Sequence, residues 1–477
     1  MRKRLIFLLS FMCFFTVVIA SFNHVQGLTG TTYSVSSSDS DIIGDVNGDG
    51  EINSIDVTVL KRYLLRKINE LPVSDYLWSA DLNGDNFIDS IDLTLLRRYI
   101  LKIIKKFPKE QANNFTEVVE FESGLSHSII LKKDGTVWAL GDNSSGQLGL
   151  GDVLATKEPV KIEGLSDIVA IETGINHSLA LKKDGTLWAW GDNSSLQLID
   201  NIKIPSDIEE RICKIPFEVK THSDVKSIAA GYARTLVIKN DGSVWIHSLP
   251  PIKKSENSDY ISLKIENLGN IKSVDVGKGH IISLREDGTV WSWGDNVWGQ
   301  MGDGSQNHHN TYDYKYYEAT QAKGLTGIVQ VSAGGLHSVA LKDDGTVWTW
   351  GGNFYGEIGN GTDQYRLEPY MVEGLEDIIA IDAGNNHTVA LKKDGTVWVW
   401  GKNDCGQLGN GSTDRRSLRP VMVEGLTGVI SIKAGMENTI AIKEDGTIWA
   451  WGKNDFGQLG EGSMDNCFSP VQILIGD

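Results

Sequence analysis

An Asp-Gly turn recurs in seven copies of one repeat across the C-terminal three quarters of this chain, at Asp134-Gly135, Asp184-Gly185, Asp241-Gly242, Asp287-Gly288, Asp344-Gly345, Asp394-Gly395 and Asp445-Gly446. They recur at intervals of 50, 57, 46, 57, 50 and 51 residues, and periods of that size belong to solenoids or propellers. Each unit runs like DIVAIETG, HSLALKKDG, TLWAWGDN and then a looser stretch ending in EPVKIEGL. That gives three clear strands and a weaker fourth, with Asp-Gly as the hairpin turn between alternating runs. Four antiparallel strands cannot bury both faces alone, but seven such sheets arranged radially can. The expectation is an all-β, seven-bladed propeller over Phe115 to Asp477.

The consensus GxxHSxALKxDGTVWxWGxNxxGQLG resembles the regulator of chromosome condensation family over essentially the whole region. The resemblance implies the propeller fold but no single task, because folds of this kind host unrelated functions. Secreted bacterial proteins of the family it resembles include a β-lactamase inhibitory protein, a pure binder. A formal net charge of -17 disfavours nucleic acid or anionic lipid as a partner, and with it a nuclear exchange-factor role.

His127, His177, His280, His337 and His387 occupy one repeat position, with Arg234 and Asn438 in the other two units. Recurrence at the same point of each unit favours a structural imidazole, bonded to backbone within its own blade, over a metal ligand. Tryptophan follows the same logic. Trp188 with Trp190, Trp291 with Trp293, Trp348 with Trp350, Trp398 with Trp400, and Trp449 with Trp451 recur in the third strand and read as core rather than as sugar platforms.

Residues that break the repeat are better functional candidates. One loop position carries Ser145, Ser195, Trp298, Tyr355, Cys405 or Phe456 according to the blade, with Phe354 beside Tyr355. Aromatic side chains on one rim of a rigid scaffold suit protein hot spots or sugar stacking, the alternative being local packing of each loop. Three longer segments also depart from the unit, NIKIPSDIEERICKIPFEVKTHS, SLPPIKKSENSDYISLKIENLGN and HHNTYDYKYYEATQAK. The last adds Tyr314 and Tyr316 to the candidate rim, since tyrosine offers contact area and a polar tip at low entropic cost.

Ahead of the array, DVNGDGEINSID at Asp45 to Asp56 is nearly repeated as DLNGDNFIDSID at Asp81 to Asp92. Read as twelve-residue calcium loops, the first offers oxygens from Asp45, Asn47, Asp49, Asn53 and Asp56, with the Glu51 carbonyl. The second offers Asp81, Asn83, Asp85, Asp89 and Asp92, with the Phe87 carbonyl, and its extra carboxylate predicts binding at least as tight. Two Ca2+ ions are expected. An amphipathic helix follows each loop, built on Val57, Leu60 and Leu64 and on Leu93, Leu96 and Ile100. Neither is long enough to persist alone, so metal binding and folding should be coupled.

The duplicated loop with its LKRYLL-type helix resembles a type I dockerin, the module that fixes proteins of plant-degrading bacteria to cohesin domains of a scaffoldin in the cellulosome. The resemblance covers about Asp41 to Lys105. It implies cohesin contacts from Ser54, Ile55, Lys61 and Arg62 in one half, and from Ser90, Ile91, Arg97 and Arg98 in the other. Ile55 and Ile91 depart from the Thr of many relatives, which bears on cohesin preference. On the residues alone, the basic pairs also suit a solvated helix face.

The first residues, MRKR followed by LIFLLSFMCFFTVVIA, read as a signal peptide to about Gly27. The expected layout is therefore signal peptide 1–27, dockerin 41–105, linker 106–114 and propeller 115–477, in a secreted protein with no membrane span. The reading is a cellulosomal protein whose propeller binds a plant polysaccharide or another secreted protein. Alternatives are a glycan-degrading hydrolase or lyase, or a secreted inhibitor. Glu357 and Glu437 break the repeat but lie in different blades, without the paired-carboxylate pattern of glycoside hydrolysis.

Overall fold

The structure is a computed structural model that describes residues 45–46, 51–52, 54–64, 80, 82, 96, 118–195, 197–198, 211–247, 263–265, 268–306 and 318–473. The expected signal peptide, the linker, and Tyr314 and Tyr316 lie outside the described residues.

Residues 118–472 form seven four-stranded antiparallel sheets, the blades of one propeller. The innermost strands are Val118–Ser123, Ile168–Thr173, Val225–Gly231, Ile271–Val276, Ile328–Ala333, Ile378–Ala383 and Val429–Ala434, for blades one to seven. The two long segments after the third strands of blades two and three do not follow finished blades. They contain the fourth strands, Ile212–Glu218 and Leu263–Ile265, and the tyrosine-rich segment after the third strand of blade four likewise contains that blade's fourth strand, Thr320–Gln321. Low apolar periodicity hid these strands, as expected for edge strands whose one face is solvated.

Each blade is built from consecutive residues, and Cys467–Gln472 is the outer strand of blade seven, so the ring closes without strand exchange. Side-chain packing does the closing. Phe121, Ile130 and Leu140 of blade one meet Ile440, Ile448, Ala450 and Leu459 of blade seven. Polar bonds reinforce it: Asn438 Nδ2 donates to Ser123 Oγ at 2.9 Å, Ser128 Oγ donates to the Gln458 carbonyl at 3.0 Å, and Lys433 pairs with Glu122. Cys213, Cys405 and Cys467 are all free thiols, so no disulfide joins Cys405 to Cys467.

The histidine position stitches neighbouring blades. His127 Nε2 meets Ser178 Oγ of the next blade at 2.9 Å, and Ser178 in turn donates to the Gln147 carbonyl at 2.9 Å. With the hydroxyl proton committed to that carbonyl, Nε2 must be the donor. The same relay runs from His280 to Ser338 to Gln300, from His337 to Thr388 to Glu357, and from His387 to Thr439 to Gln407. His177 meets Thr235 at 3.3 Å. The imidazoles are structural, as recurrence suggested, but they bond a side chain of the following blade rather than backbone of their own.

Trp190, Trp350, Trp400 and Trp451 donate to the same carbonyls and are completely buried. The outer tryptophans are half-buried: Trp138, Trp291, Trp348, Trp398 and Trp449 donate their indole N–H to Thr hydroxyls, that of Trp188 has no side-chain or backbone acceptor among the described residues, and Lys132 and Arg285 lie over the rings of Trp138 and Trp291. Neither set presents an open sugar platform.

The glycine three residues before each histidine has a steric reason. A Cβ on Gly384 would overlap both the His387 imidazole and the Gly435 carbonyl, neither of which can yield without breaking the stitch. Gly384→Ala should therefore cost at least about 3 kcal/mol, the upper range for overpacking. A urea titration of this variant would show a clearly lower midpoint than that of the unsubstituted chain, and an unchanged midpoint would remove the argument.

Candidate functional site

The dockerin residues that are described agree with a cation-holding loop. Asp45 and Asp56, the first and twelfth loop positions, are 5% and 0% exposed. Asp56 Oδ1 accepts the Val46 N–H at 2.9 Å, which pins the loop end against its beginning. Carboxylates are seldom buried unless paired or bound to metal, so two of them at the terminal ligand positions fit a hard cation. Glu51 is exposed, consistent with a carbonyl rather than a carboxylate contribution.

Helix Ser54–Leu64 carries Asp56 in its first turn and Lys61 and Arg62 in its last, matching the helix dipole. It buries Leu60 with Asp56, while Ser54, Ile55, Lys61 and Arg62 are all exposed, Ile55 to 54%. The four expected cohesin-contacting residues of the first half therefore share the solvent side of one helix. The remaining predicted ligands (Asn47, Asp49, Asn53, Asp81, Asn83, Asp85, Phe87, Asp89 and Asp92) and Ser90, Ile91, Arg97 and Arg98 lie outside the described residues. Leu82, between two of them, and Leu96 are buried.

On the propeller, the variable loop position is fixed by backbone and left free in its side chain. Trp298, Cys405 and Phe456 each donate their N–H to the side chain of the Gln two residues on, and Tyr355 does so to Glu357. The structure brings Trp298 of blade four and Phe354 of blade five together edge to face, at 4.7 Å between ring centroids. Tyr365 joins them at 5.8 Å from Trp298. Sequence reasoning missed Tyr365, since it lies nine residues beyond Gly356 in a loop with no repeat landmark. Phe354 and Tyr365 are 42% and 40% exposed, so the trio forms an open aromatic cluster rather than core. Tyr355 and Phe456 stand apart from it. The Lys402 ammonium lies 5.7 Å from the Tyr355 ring, and Phe456 is exposed alone.

Glu357 and Glu437 are both engaged structurally. Glu437 is bridged by Lys402 at 2.9 Å and Lys453 at 3.0 Å, and these hydrogen bonds hold its carboxyl below the usual value against the opposing effect of burial. Glu357 stands where other blades have Gln. It accepts from the Tyr355 N–H and from Asn386, and burial raises its pKa above the ordinary value. A raised carboxyl costs stability once pH exceeds its unfolded pKa. Glu357→Gln should thus stabilise by about 1 kcal/mol at neutral pH, with the gain vanishing below about pH 4.5. Melting temperatures at both pH values test this, and equal gains at both would refute it.

The propeller axis holds a second cluster. The residue two before the stitching glycine is Glu122, Glu172, Ala229, Asp275, Ser332, Asp382 and Lys433 around the ring. Five of these side chains line an axial cavity of about 220 Å³. Tyr232 donates across the ring to Asn385 at the end of this cavity that carries the His loops. Burial raises Glu122 to about 8, against the pull of Lys433, and raises Glu172 with help from Glu122. Asp275 and Asp382 are tied to backbone N–H groups of the next blade, at Ala333 and Ala434.

One departure from the repeat went unread in the sequence. Between most blades a Leu packs with the inner Trp of the next, as Leu165 with Trp190 or Leu375 with Trp400. At blade three both are replaced by histidine, and His222 Nε2 lies 2.9 Å from His247 Nε2 in a buried pair. Aligning the EGL and WxW motifs column by column would have exposed it.

The acidic loop with its exposed basic helix face, joined to a stitched seven-bladed ring, defines a dockerin-bearing propeller protein. Residues 43–101 match the type I dockerin domain family, and residues 251–476 match the RCC1-like domain. Regulator of chromosome condensation repeats match residues 134–181, and 118–147 with 168–197. The chain thus combines an N-terminal type I dockerin with an RCC1-like propeller. It is 31% identical over 180 residues to mouse E3 ubiquitin-protein ligase HERC2, covering 37% of this chain and 3% of that protein. It is 55% identical over 42 residues to xyloglucanase Xgh74A of Acetivibrio thermocellus, covering 9% of this chain and 5% of that enzyme. The structure of human WBSCR16 superposes with a TM-score of 0.62 at 23% identity, covering 71% of this chain and 94% of that one. That likeness concerns the fold alone.

Proposed function

We propose that the chain is an extracellular cellulosome component. Its dockerin, with calcium in both loops, docks onto a scaffoldin cohesin, and its propeller displays a binding rim to a glycan or secreted protein during plant polysaccharide degradation. The observation that carries the docking half is the helix Ser54–Leu64, which buries Asp56 and Leu60 and turns Ser54, Ile55, Lys61 and Arg62 outward. The propeller half rests on the Trp298, Phe354 and Tyr365 cluster, whose rings the blade does not need for its own core.

Calorimetric titration of the full chain against a panel of recombinant cohesins tests the first half. Binding to none in the presence of calcium would reject it. Because the two dockerin halves nearly repeat, each offering its own recognition set, Lys61→Ala with Arg62→Ala should weaken binding only severalfold, and the quadruple variant including Arg97→Ala and Arg98→Ala by about a hundredfold or more. For the second half, retention of the chain on xyloglucan, xylan or cellulose in affinity gels should be lost in Trp298→Ala with Phe354→Ala. Release of reducing ends from any of these polymers would replace the binding reading with an enzymatic one.

A further inference from the structure

A second ring of bonds runs around the propeller axis beside the histidine relays, and it is broken in two places. The residue after each stitching glycine is Leu125, Ile175, Tyr232, Lys278, Gly335, Asn385 and Met436 for blades one to seven. Its backbone N–H donates to the carbonyl of its counterpart in the next blade, Leu125 to Ile175 at 3.4 Å, Ile175 to Tyr232 at 2.9 Å, Lys278 to Gly335 at 3.1 Å, Gly335 to Asn385 at 3.0 Å and Asn385 to Met436 at 3.0 Å. Neither Tyr232 to Lys278 nor Met436 to Leu125 is bonded in this way. The histidine relays stop at the same two seams. Between blades three and four, Arg234 replaces the imidazole and Ile281 the hydroxyl it would meet, and at the closing seam Asn438 replaces the imidazole. Main-chain and side-chain bonds thus divide the ring identically, into an arc of blades one to three and an arc of blades four to seven.

The two breaks differ in what spans them. The closing seam keeps directional polar bonds, Asn438 to Ser123, Ser128 to the Gln458 carbonyl and Lys433 to Glu122. Beside them a cleft of about 100 Å³ lies unfilled between Phe121 of blade one and Ile432, Ile440 and Ile442 of blade seven, a joint that is tied yet has room to turn. The seam between blades three and four is an apolar face, with Leu236, Ile238 and Ile246 against Ile271, Ile281 and Trp293, and Arg234 Nη1 reaches the Lys278 carbonyl at 3.5 Å on its exposed rim. The Trp293 N–H, whose counterparts in four other blades cross to the preceding blade, has no acceptor among the described residues. Apolar contact is non-directional, so this seam parts with less polar loss than a stitched one, where imidazole and hydroxyl would both be left unpaired. The outer strands flanking it, Leu263–Ile265 and Thr320–Gln321, are the shortest of the seven.

Across the axis the arcs are tied by Tyr232 of blade three, whose hydroxyl donates to Asn385 Oδ1 of blade six. The tyrosine passes over Gly335, where a Cβ would stand 3.1 Å from the hydroxyl oxygen. Tyr232 alone among the seven loop residues has a positive φ, 47°, which a bulky side chain holds only when its surroundings enforce it. The axial cavity is shared between the arcs, with Glu122, Glu172 and Tyr232 on one and Asp275, Asp382 and Lys433 on the other. We propose that the propeller is a two-arc clamp: the arcs turn about the closing seam and part between blades three and four, opening the axial cavity along its side, with Tyr232 on Asn385 as the latch. Trp298, Phe354 and Tyr365 all lie within the second arc, so the proposal is independent of the aromatic rim.

Native-state thiol labelling of the full chain tests this. Ile238 and Leu341 hold the same repeat position and are each 2% exposed, the first facing the seam between blades three and four, the second the stitched seam between blades five and six. Uptake of N-ethylmaleimide by Ile238→Cys and by Leu341→Cys is followed by peptide mass spectrometry, which separates it from uptake at Cys213, Cys405 and Cys467. Ile238→Cys should label at least about tenfold faster. Tyr232→Phe, which deletes only the latching hydroxyl, should speed the first about fivefold and leave the second unchanged. Leu236→Cys against Val339→Cys, likewise equivalent and completely buried, repeats the comparison should either first variant lose its cooperative melting. Equal rates at the paired positions would overturn the proposal. So would a Tyr232→Phe effect that is absent, or equal at both seams, since the second marks global unfolding.

Discussion

Acidification from about pH 7 to about pH 4.5 should unfold the propeller in one cooperative step. Burial pushes His127, His280 and His337 down to about 3, and His177, His222 and His387 to about 4. His247 is pushed well below the ordinary value by burial and by His222. Each of these imidazoles is neutral when folded and takes a proton near 6.5 when unfolded. Between those values the unfolded chain binds more protons, so stability falls as pH drops through the window. One imidazole costs about 1.4 kcal/mol per pH unit there, and seven acting together reach roughly 10 kcal/mol per unit, against a whole-domain stability of about 5–15 kcal/mol.

The raised carboxyls of Glu122, Glu172, Asp275 and Glu357 act in the opposite sense, gaining stability as pH falls toward 4.5, but they are four against seven. Fluorescence of the buried Trp190, Trp293, Trp350, Trp400 and Trp451 would report the transition. His222→Leu with His247→Trp, which restores the pairing used by other blades, should move the midpoint to lower pH. A native emission spectrum persisting at pH 3 would contradict the burial of these rings as neutral species.

The propeller was legible because most blades repeat the same stitch. Asp-Gly turns, the inner Trp and the Gly-x-x-His step recur because each satisfies a contact with the next sheet, and recurrence is visible in one sequence. What recurrence cannot reveal is which partner a recurring residue bonds, and the His127 to Ser178 link crosses a blade boundary 51 residues away. The fourth strands escaped notice where long loops precede them, as at Ile212–Glu218, since an outer strand has little apolar pattern to read. The aromatic cluster was half legible. Trp298 and Phe354 broke the repeat, whereas Tyr365 sits in a loop that every blade spells differently. The break between blades three and four shows in the sequence only as Arg234 and Ile281 leaving their columns, because main-chain bonds such as Ile175 to Tyr232 leave no mark on side-chain identity.

Removing calcium should abolish cohesin binding while leaving the propeller folded. The helix Ser54–Leu64 has eleven residues, below the length at which an isolated helix persists in water, and its first turn buries the Asp56 carboxylate near a second buried carboxylate, Asp45. Without a cation those charges lose the interaction that justifies their burial, and the helix face bearing Lys61 and Arg62 loses its frame. Excess EDTA should therefore weaken cohesin affinity by more than about a hundredfold, since metal binding and folding of such a module are one equilibrium. Calorimetry should show the dockerin transition vanish and the propeller transition stay put, because the blades are held by strand pairing, the His relays and buried Trp. Asp56→Asn separates charge from shape. Its amide oxygen still accepts the Val46 N–H, so the loop end stays pinned, but one ligand charge is gone. Half-saturation of cohesin binding should then need at least about tenfold more calcium, with full affinity recovered at excess metal. Undiminished affinity in EDTA would mean that packing alone holds the docking helix, and the metal-set account of this module would fail.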